Sequence, residues 1–167
     1  MVRKLVYLAG IAMVATSGAA LAQATDTKST TGSVTIVTPL ALKKDKELVF
    51  GNVFRPATGA SAVTVTMPTG SDTPTGGALA SGGPTRSRAA FTVTGETGKA
   101  FSINVPGNFS MTRTGGGTIL VSLNSSKANG TLTGGTDTFF VGGSFTLSDT
   151  VAAGDYSGTF NVQVDYQ

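Results

Sequence analysis

Residues 154–167 read GDYSGTFNVQVDYQ, and they alternate without a slip. Tyr156, Gly158, Phe160, Val162, Val164 and Tyr166 share one parity, while Asp155, Ser157, Thr159, Asn161, Gln163 and Asp165 share the other. Successive side chains of a strand point to opposite faces, so this spacing predicts one long β-strand with a buried face and a wet face. Full burial of its five large apolar side chains would be worth ~2 kcal/mol each, about 10 kcal/mol together. A small domain has a total stability of only ~5–15 kcal/mol. The stretch therefore sets the class as β and puts the C-terminus inside the core.

The same period recurs upstream. It predicts strands over residues 33–42, 47–54, 62–67, 86–94, 99–105 and 118–123, with strand pieces at 138–141 and 144–147 around Gly142-Gly143. Lys43, Lys44 and Lys46 surround Asp45 in an expected charged turn, and residues 124–130 in a polar loop. Residues 95–98, Gly-Glu-Thr-Gly, lie between two strand patterns and predict a hairpin, with glycine supplying positive φ. Residues 68–84 are rich in glycine and proline and predict the most mobile loop, with a short pairing near Ala78 and Leu79. No window carries a helical period. Many short strands with glycine-rich turns imply an antiparallel sandwich or barrel.

At the other end, Arg3 and Lys4 precede an apolar run over residues 5–15 and a small-x-small site at Ala20-Leu21-Ala22. This is the pattern of a secretory leader, and the run is too short to span a bilayer comfortably. The expected division is residues 1–22 as signal peptide, 23–32 as a flexible arm and 33–167 as one β-sandwich domain. Export would place the product in the periplasm, at the cell surface or outside the cell. The arm is polar, with Ala24 its one apolar side chain. Losing Arg3 and Lys4 reduces the formal charge from +3 to +1, which is no footprint for nucleic acid. No second apolar run predicts a membrane span in the mature chain.

The chain has no histidine and no cysteine. That excludes imidazole acid–base chemistry, thiol nucleophiles, disulfides and thiolate metal sites. Residues 95–99, GETGK, lack the first glycine of a phosphate loop, have Ala100 where a hydroxyl should hold magnesium, and precede a strand. No enzyme activity, metal or cofactor is expected.

Three stretches together resemble a family of secreted bacterial proteins, a domain of unknown function (number four-four-zero-two). They are VTIVTPLAL with LVFGNV, then AAFTVTGETGKAFSINVP, then VGGSFTL with the closing GDYSGTFNVQVDYQ. That resemblance brings no catalytic residues and no ligand. The closing stretch is also similar to the C-terminal strand of chaperone–usher pilins. It has a penultimate tyrosine, Tyr166, then alternating Val164, Val162 and Phe160, and Gly154 fourteen places from the end. LVFGNV is similar to the second strand of the spore-coat-U-like pilins. The pilin resemblance implies an immunoglobulin-like sandwich lacking one strand, completed by a periplasmic chaperone and then by a neighbouring subunit. It would make Gly154, Tyr156, Phe160, Val162, Val164 and Tyr166 an assembly strand, with a chaperone and usher as partners and self-association into fibres. The expected function is therefore that of an exported structural or adhesive surface protein, most of all a pilin-like fimbrial subunit. The alternative is a self-complete secreted β-sandwich that binds a ligand such as a glycan through its loops.

Overall fold

Polar and apolar side chains alternate along most of the chain, and the strands of the computed structural model, which describes residues 25–167, follow them. In chain order they are β1 (Ala41–Lys46), β2 (Val53–Phe54), β3 (Val63–Met67), β4 (Ala78–Leu79), β5 (Ala89–Thr94) and β6 (Ala100–Asn104). They continue as β7 (Asn108–Arg113), β8 (Thr118–Ser125), β9 (Asn129–Thr131), β10 (Thr136–Leu147), β11 (Tyr156–Ser157) and β12 (Gln163–Tyr166). Every pairing is antiparallel. The main sheet has the order β1-β5-β10-β8-β7-β11, with β3 also on β10; a second has the order β12-β6-β9; β2 and β4 form a small pair. The fold is all-β and sandwich-like. Among the described residues no helix is long and apolar enough to cross a membrane. The expected leader lies outside the described residues, as do Gln23 and Ala24.

β10 is the spine. Its first half, Thr136 to Val141, pairs with β5, and its second half, Gly143 to Leu147, pairs with β3. Two apolar clusters follow from this change of partner. One gathers Phe91, Val93, Phe101, Leu132, Phe139 and Val141; the other gathers Phe50, Val65, Met67, Ile119, Phe145 and Leu147. The strand pieces expected on either side of Gly142-Gly143 are thus one strand of 12 residues. The glycines do not end it. A Cβ on Gly142 would run into the backbone of Met67 and Pro68, so a residue without one lets β3 come in beside β10.

Four further expectations are corrected. The first strand begins at Ala41, not at Ser33, and it includes the lysines expected in a turn. Pro39 has no N–H for a ladder. The charges of β1 suit an edge strand: Lys43 lies 2.8 Å from Asp45, and Asp45 accepts a hydrogen bond of 2.6 Å from the Thr92 hydroxyl. Second, β5 and β6 do not pair, so Gly95 to Gly98 is no hairpin. It is the corner between two sheets, with Gly98 at φ +79 and its N–H on the Leu132 carbonyl. Third, the polar loop after β8 contains β9, which pairs with β6. Fourth, the expected strand over 47–54 is reduced to a bridge from Val49 to Ser87 and the two residues of β2.

The loop over residues 68–84 is fastened rather than loose. Asp72 accepts hydrogen bonds from Lys46 Nζ at 2.9 Å and the Arg88 N–H at 3.1 Å, and Thr75 bridges to Thr66. The Lys46 hydrogen bond first, then that of the Arg88 amide, holds the Asp72 carboxyl below its ordinary range.

Residues 25–40 carry neither strand nor helix, and the compact β unit is Ile36–Gln167. Thr38 is pinned within that unit. Its N–H and hydroxyl donate to Glu96 Oε2 at 3.1 and 2.8 Å, and its carbonyl accepts the Tyr166 hydroxyl at 2.8 Å. Tyr166 Oη in turn accepts the Glu96 N–H at 2.7 Å. A Cβ on Gly95 would occupy the place of that hydroxyl, so Gly95 serves close approach and not positive φ. The two Thr38 hydrogen bonds, backbone first, hold the Glu96 carboxyl below its ordinary 4.5. A depressed carboxylate stabilises the fold fully above its unfolded value and ceases to as pH falls through the folded one. Protection of the Thr38 amide, its exchange rate taken against the intrinsic rate at each pH, should therefore be full above the ordinary carboxylate range and fall as pH drops through the lowered value of Glu96. Glu96→Gln should lose that pH dependence, and an unchanged profile in the variant would contradict the assignment.

Candidate functional site

The C-terminal stretch keeps its predicted parity but not its predicted continuity. Tyr156, Phe160, Val162, Val164 and Tyr166 are all half-buried, and the intervening residues are exposed. Yet Tyr156 and Ser157 pair with Arg113 and Thr112 of β7, whereas residues 163–166 pair with β6 in the other sheet. The one long strand expected over 154–167 is two short strands that belong to different sheets. The chain passes between them at residues 158–162. A Cβ on Gly158 would meet the backbone of Ser110 and Met111, so the missing side chain lets the crossing segment lie against β7.

This crossing leaves a groove of about 710 Å³. One rim is residues 48–54, and the other is residues 151–160. Between them the floor is apolar: Phe109, Met111, Ile119, Phe145 and Leu147, all of the Phe145 cluster. Phe50 stands edge-on to Phe145 with centroids 4.8 Å apart, and the Phe160 ring lies 5.0 Å from that of Phe109. Lys44, Glu47, Arg55 and Asp155 are exposed at the margins.

Both rims offer unpaired backbone. Val49 exchanges both of its main-chain hydrogen bonds with Ser87, and the Glu47 carbonyl accepts the Ser87 hydroxyl. Leu48 and Phe50, on either side of Val49, line the groove, and their main chain makes no backbone hydrogen bond. On the opposite rim β11 is the last strand of the main sheet, and only its β7 side is paired. Among the described residues no backbone hydrogen bond joins the two rims. The Arg55 guanidinium, donating to the Val151 carbonyl at 3.1 Å, ties them at one end.

The six residues expected to form an assembly strand are thus divided. Gly154, at φ +142, Tyr156 and Phe160 line the groove. Tyr156 packs on the Phe145 cluster, and its hydroxyl donates to the Ala152 carbonyl at 2.9 Å. Val162 and Val164 pack on the Phe139 cluster away from the groove, with Val164 opposite Ile103. Tyr166 is at the Thr38 latch. Sequence reasoning missed the floor residues Met111, Ile119 and Phe145. The parity of Leu48 and Phe50 was visible; that no strand lies beside them was not.

An all-β, sandwich-like domain whose described residues line an open, apolar groove is the class of protein that these features define. The family model Domain of unknown function (DUF4402) matches residues 40–166, and the chain belongs to that family. No curated protein and no solved structure matches it.

Proposed function

We propose that this chain is an exported structural or adhesive surface subunit, pilin-like in that it associates by adding an extended strand to its groove. The observation that carries the reading is the pair of unpaired main-chain rims over an apolar floor. Strand addition draws on backbone groups for the ladder and on apolar surface for alternate side chains, and the unpaired main chain of Leu48 and Phe50 above the apolar floor supports it. The groove also has the volume of a small-ligand cavity, ~300–1,000 Å³. The unpaired main chain of Leu48 and Phe50 on one rim, and the outer edge of β11 on the other, favour an extended peptide over a small ligand. Arg3, Lys4, the apolar run and the Ala20-Leu21-Ala22 site support export with cleavage after Ala22. A periplasmic chaperone would shield the groove before assembly, and an usher would be the site of exchange.

The test uses purified residues 23–167 and a set of extended peptides with apolar residues at alternate positions. A peptide that fits should raise the melting temperature and slow hydrogen exchange at the Leu48 and Phe50 amides. A set that protects neither rim and leaves the melting temperature unchanged sinks the strand-addition reading.

A further inference from the structure

The chain has four methionines and no cysteine. Met67 and Met111 are the two among the described residues. Their surroundings differ. Met67, at the end of β3, is 1% exposed within the Phe145 cluster. Met111, on β7 opposite Ile119, is half-buried and lines the floor of the groove. A thioether is a soft, polarisable group that a two-electron oxidant converts to a sulfoxide, and susceptibility follows exposure. We infer that Met111 is an oxidation site for peroxide, and that its sulfoxide weakens the binding of a strand in the groove. The second half of this rests on the strand-addition reading above and adds a regulation of that same site.

Hydrogen peroxide alone balances the step. A lone pair on Met111 Sδ attacks one peroxide oxygen, so that an S–O bond forms and the O–O bond breaks. The sulfur gives up two electrons, and the departing hydroxide takes the proton of the transferred hydroxyl and leaves as water. The product is a polar oxygen on an apolar floor, where the side chains of Ile119, Phe145 and Leu147 carry no hydrogen-bond donor. In the open groove water reaches that oxygen, so oxidation costs the fold little. Beneath an added strand the oxygen loses its water and gains no side-chain donor, and a buried polar group without a partner is costly. The penalty falls on the bound state and not on the free one, and such a difference between states is what shifts an equilibrium. The same geometry protects the sulfur, because a strand lying on the floor covers it. Met67 does not serve in this way, since peroxide reaches it only through opening of the packed core. The change is reversible, because methionine sulfoxide reductases return the thioether at the expense of a thiol.

The experiment treats residues 23–167 with hydrogen peroxide and follows each methionine by peptide mapping. In the folded chain Met111 should oxidise on the order of ten-fold faster than Met67, and in urea the two should react alike. The oxidised chain should melt close to the parent and bind a peptide of the set above about ten- to a hundred-fold more weakly. That peptide, bound beforehand, should slow the oxidation of Met111. The Met111→Leu chain, whatever its own affinity, should show no change on peroxide treatment, and a methionine sulfoxide reductase with a dithiol should restore binding to the oxidised parent. A Met111 that reacts no faster than Met67 would overturn the oxidation site. An oxidised chain that binds as tightly as the reduced one, or one that has unfolded, would overturn the switch. If no peptide binds the reduced chain, the strand-addition reading falls and the switch falls with it, while the ratio of the two oxidation rates still decides the oxidation site.

Discussion

Phe139→Ala should destabilise the domain by about 3–5 kcal/mol, the cost of emptying a phenylalanine site in a packed core. Phe139 is fully buried in the first half of β10, opposite Phe91 of β5. Its ring stacks on that of Phe91 with centroids 5.2 Å apart and planes 14° from parallel. The cluster around it also seats Phe160, Val162, Val164 and Tyr166, so the cavity would loosen the C-terminal segment as well. On its β5 side Phe139 lies directly opposite Phe91 in a continuous ladder, which cannot shift to fill the space. Urea unfolding should show the loss as a lower midpoint with little change in slope. Leu120→Ala, at a residue 59% exposed, should stay within about 0.5 kcal/mol. Equal midpoints for the two variants would displace β10 from the centre of the fold. The C-terminal stretch itself carries less than its alternation promised. Each of its apolar side chains is only half-buried, so the full transfer value overstates what it contributes.

Gly158→Val should both destabilise the domain, by about 1–3 kcal/mol, and abolish strand binding in the groove. The added side chain would meet the Ser110 carbonyl carbon at 3.0 Å and Met111 Cα at 3.2 Å, which are backbone atoms of a paired strand and cannot turn aside. The crossing segment must then lift from β7, and the rim goes with it. Hydrogen exchange at residues 156–157 should quicken, and a peptide that protects the Phe50 amide in the parent should no longer do so. Gly107→Ala is the control, since a Cβ there meets nothing within 4 Å. A Gly158→Val chain that melts and binds as the parent does would show that the rim does not depend on its seat against β7.

The latch at Thr38 connects the first residues of the compact β unit with its last strand. Tyr166 belongs to the last strand, and its hydroxyl donates to the Thr38 carbonyl while accepting the Glu96 N–H.

Parity was legible in the sequence and lateral pairing was not. The inward side chains at Tyr156, Phe160, Val162, Val164 and Tyr166, the all-β class, the alternation of β3, β5 and β8, and the short pairing at Leu79 all follow from side-chain period and turn chemistry, which are local properties. Which strand lies beside which is decided by contacts distant in the chain. A turn of glycine, glutamate, threonine and glycine can close a hairpin or turn a corner between sheets; here the packing of Phe101 against Phe139 and the pairing of β6 with β9 and β12 select the corner. The paired glycines of β10 look like a break until β3 is seen against them. Val34 and Ile36 alternate as a buried strand does, and nothing local distinguishes them from Val63 and Val65, because the period is the same whether or not a neighbour is present. The groove is the space between two strand edges, and only the tertiary structure decides it, because a missing neighbour leaves no mark on the period of the residues that flank it.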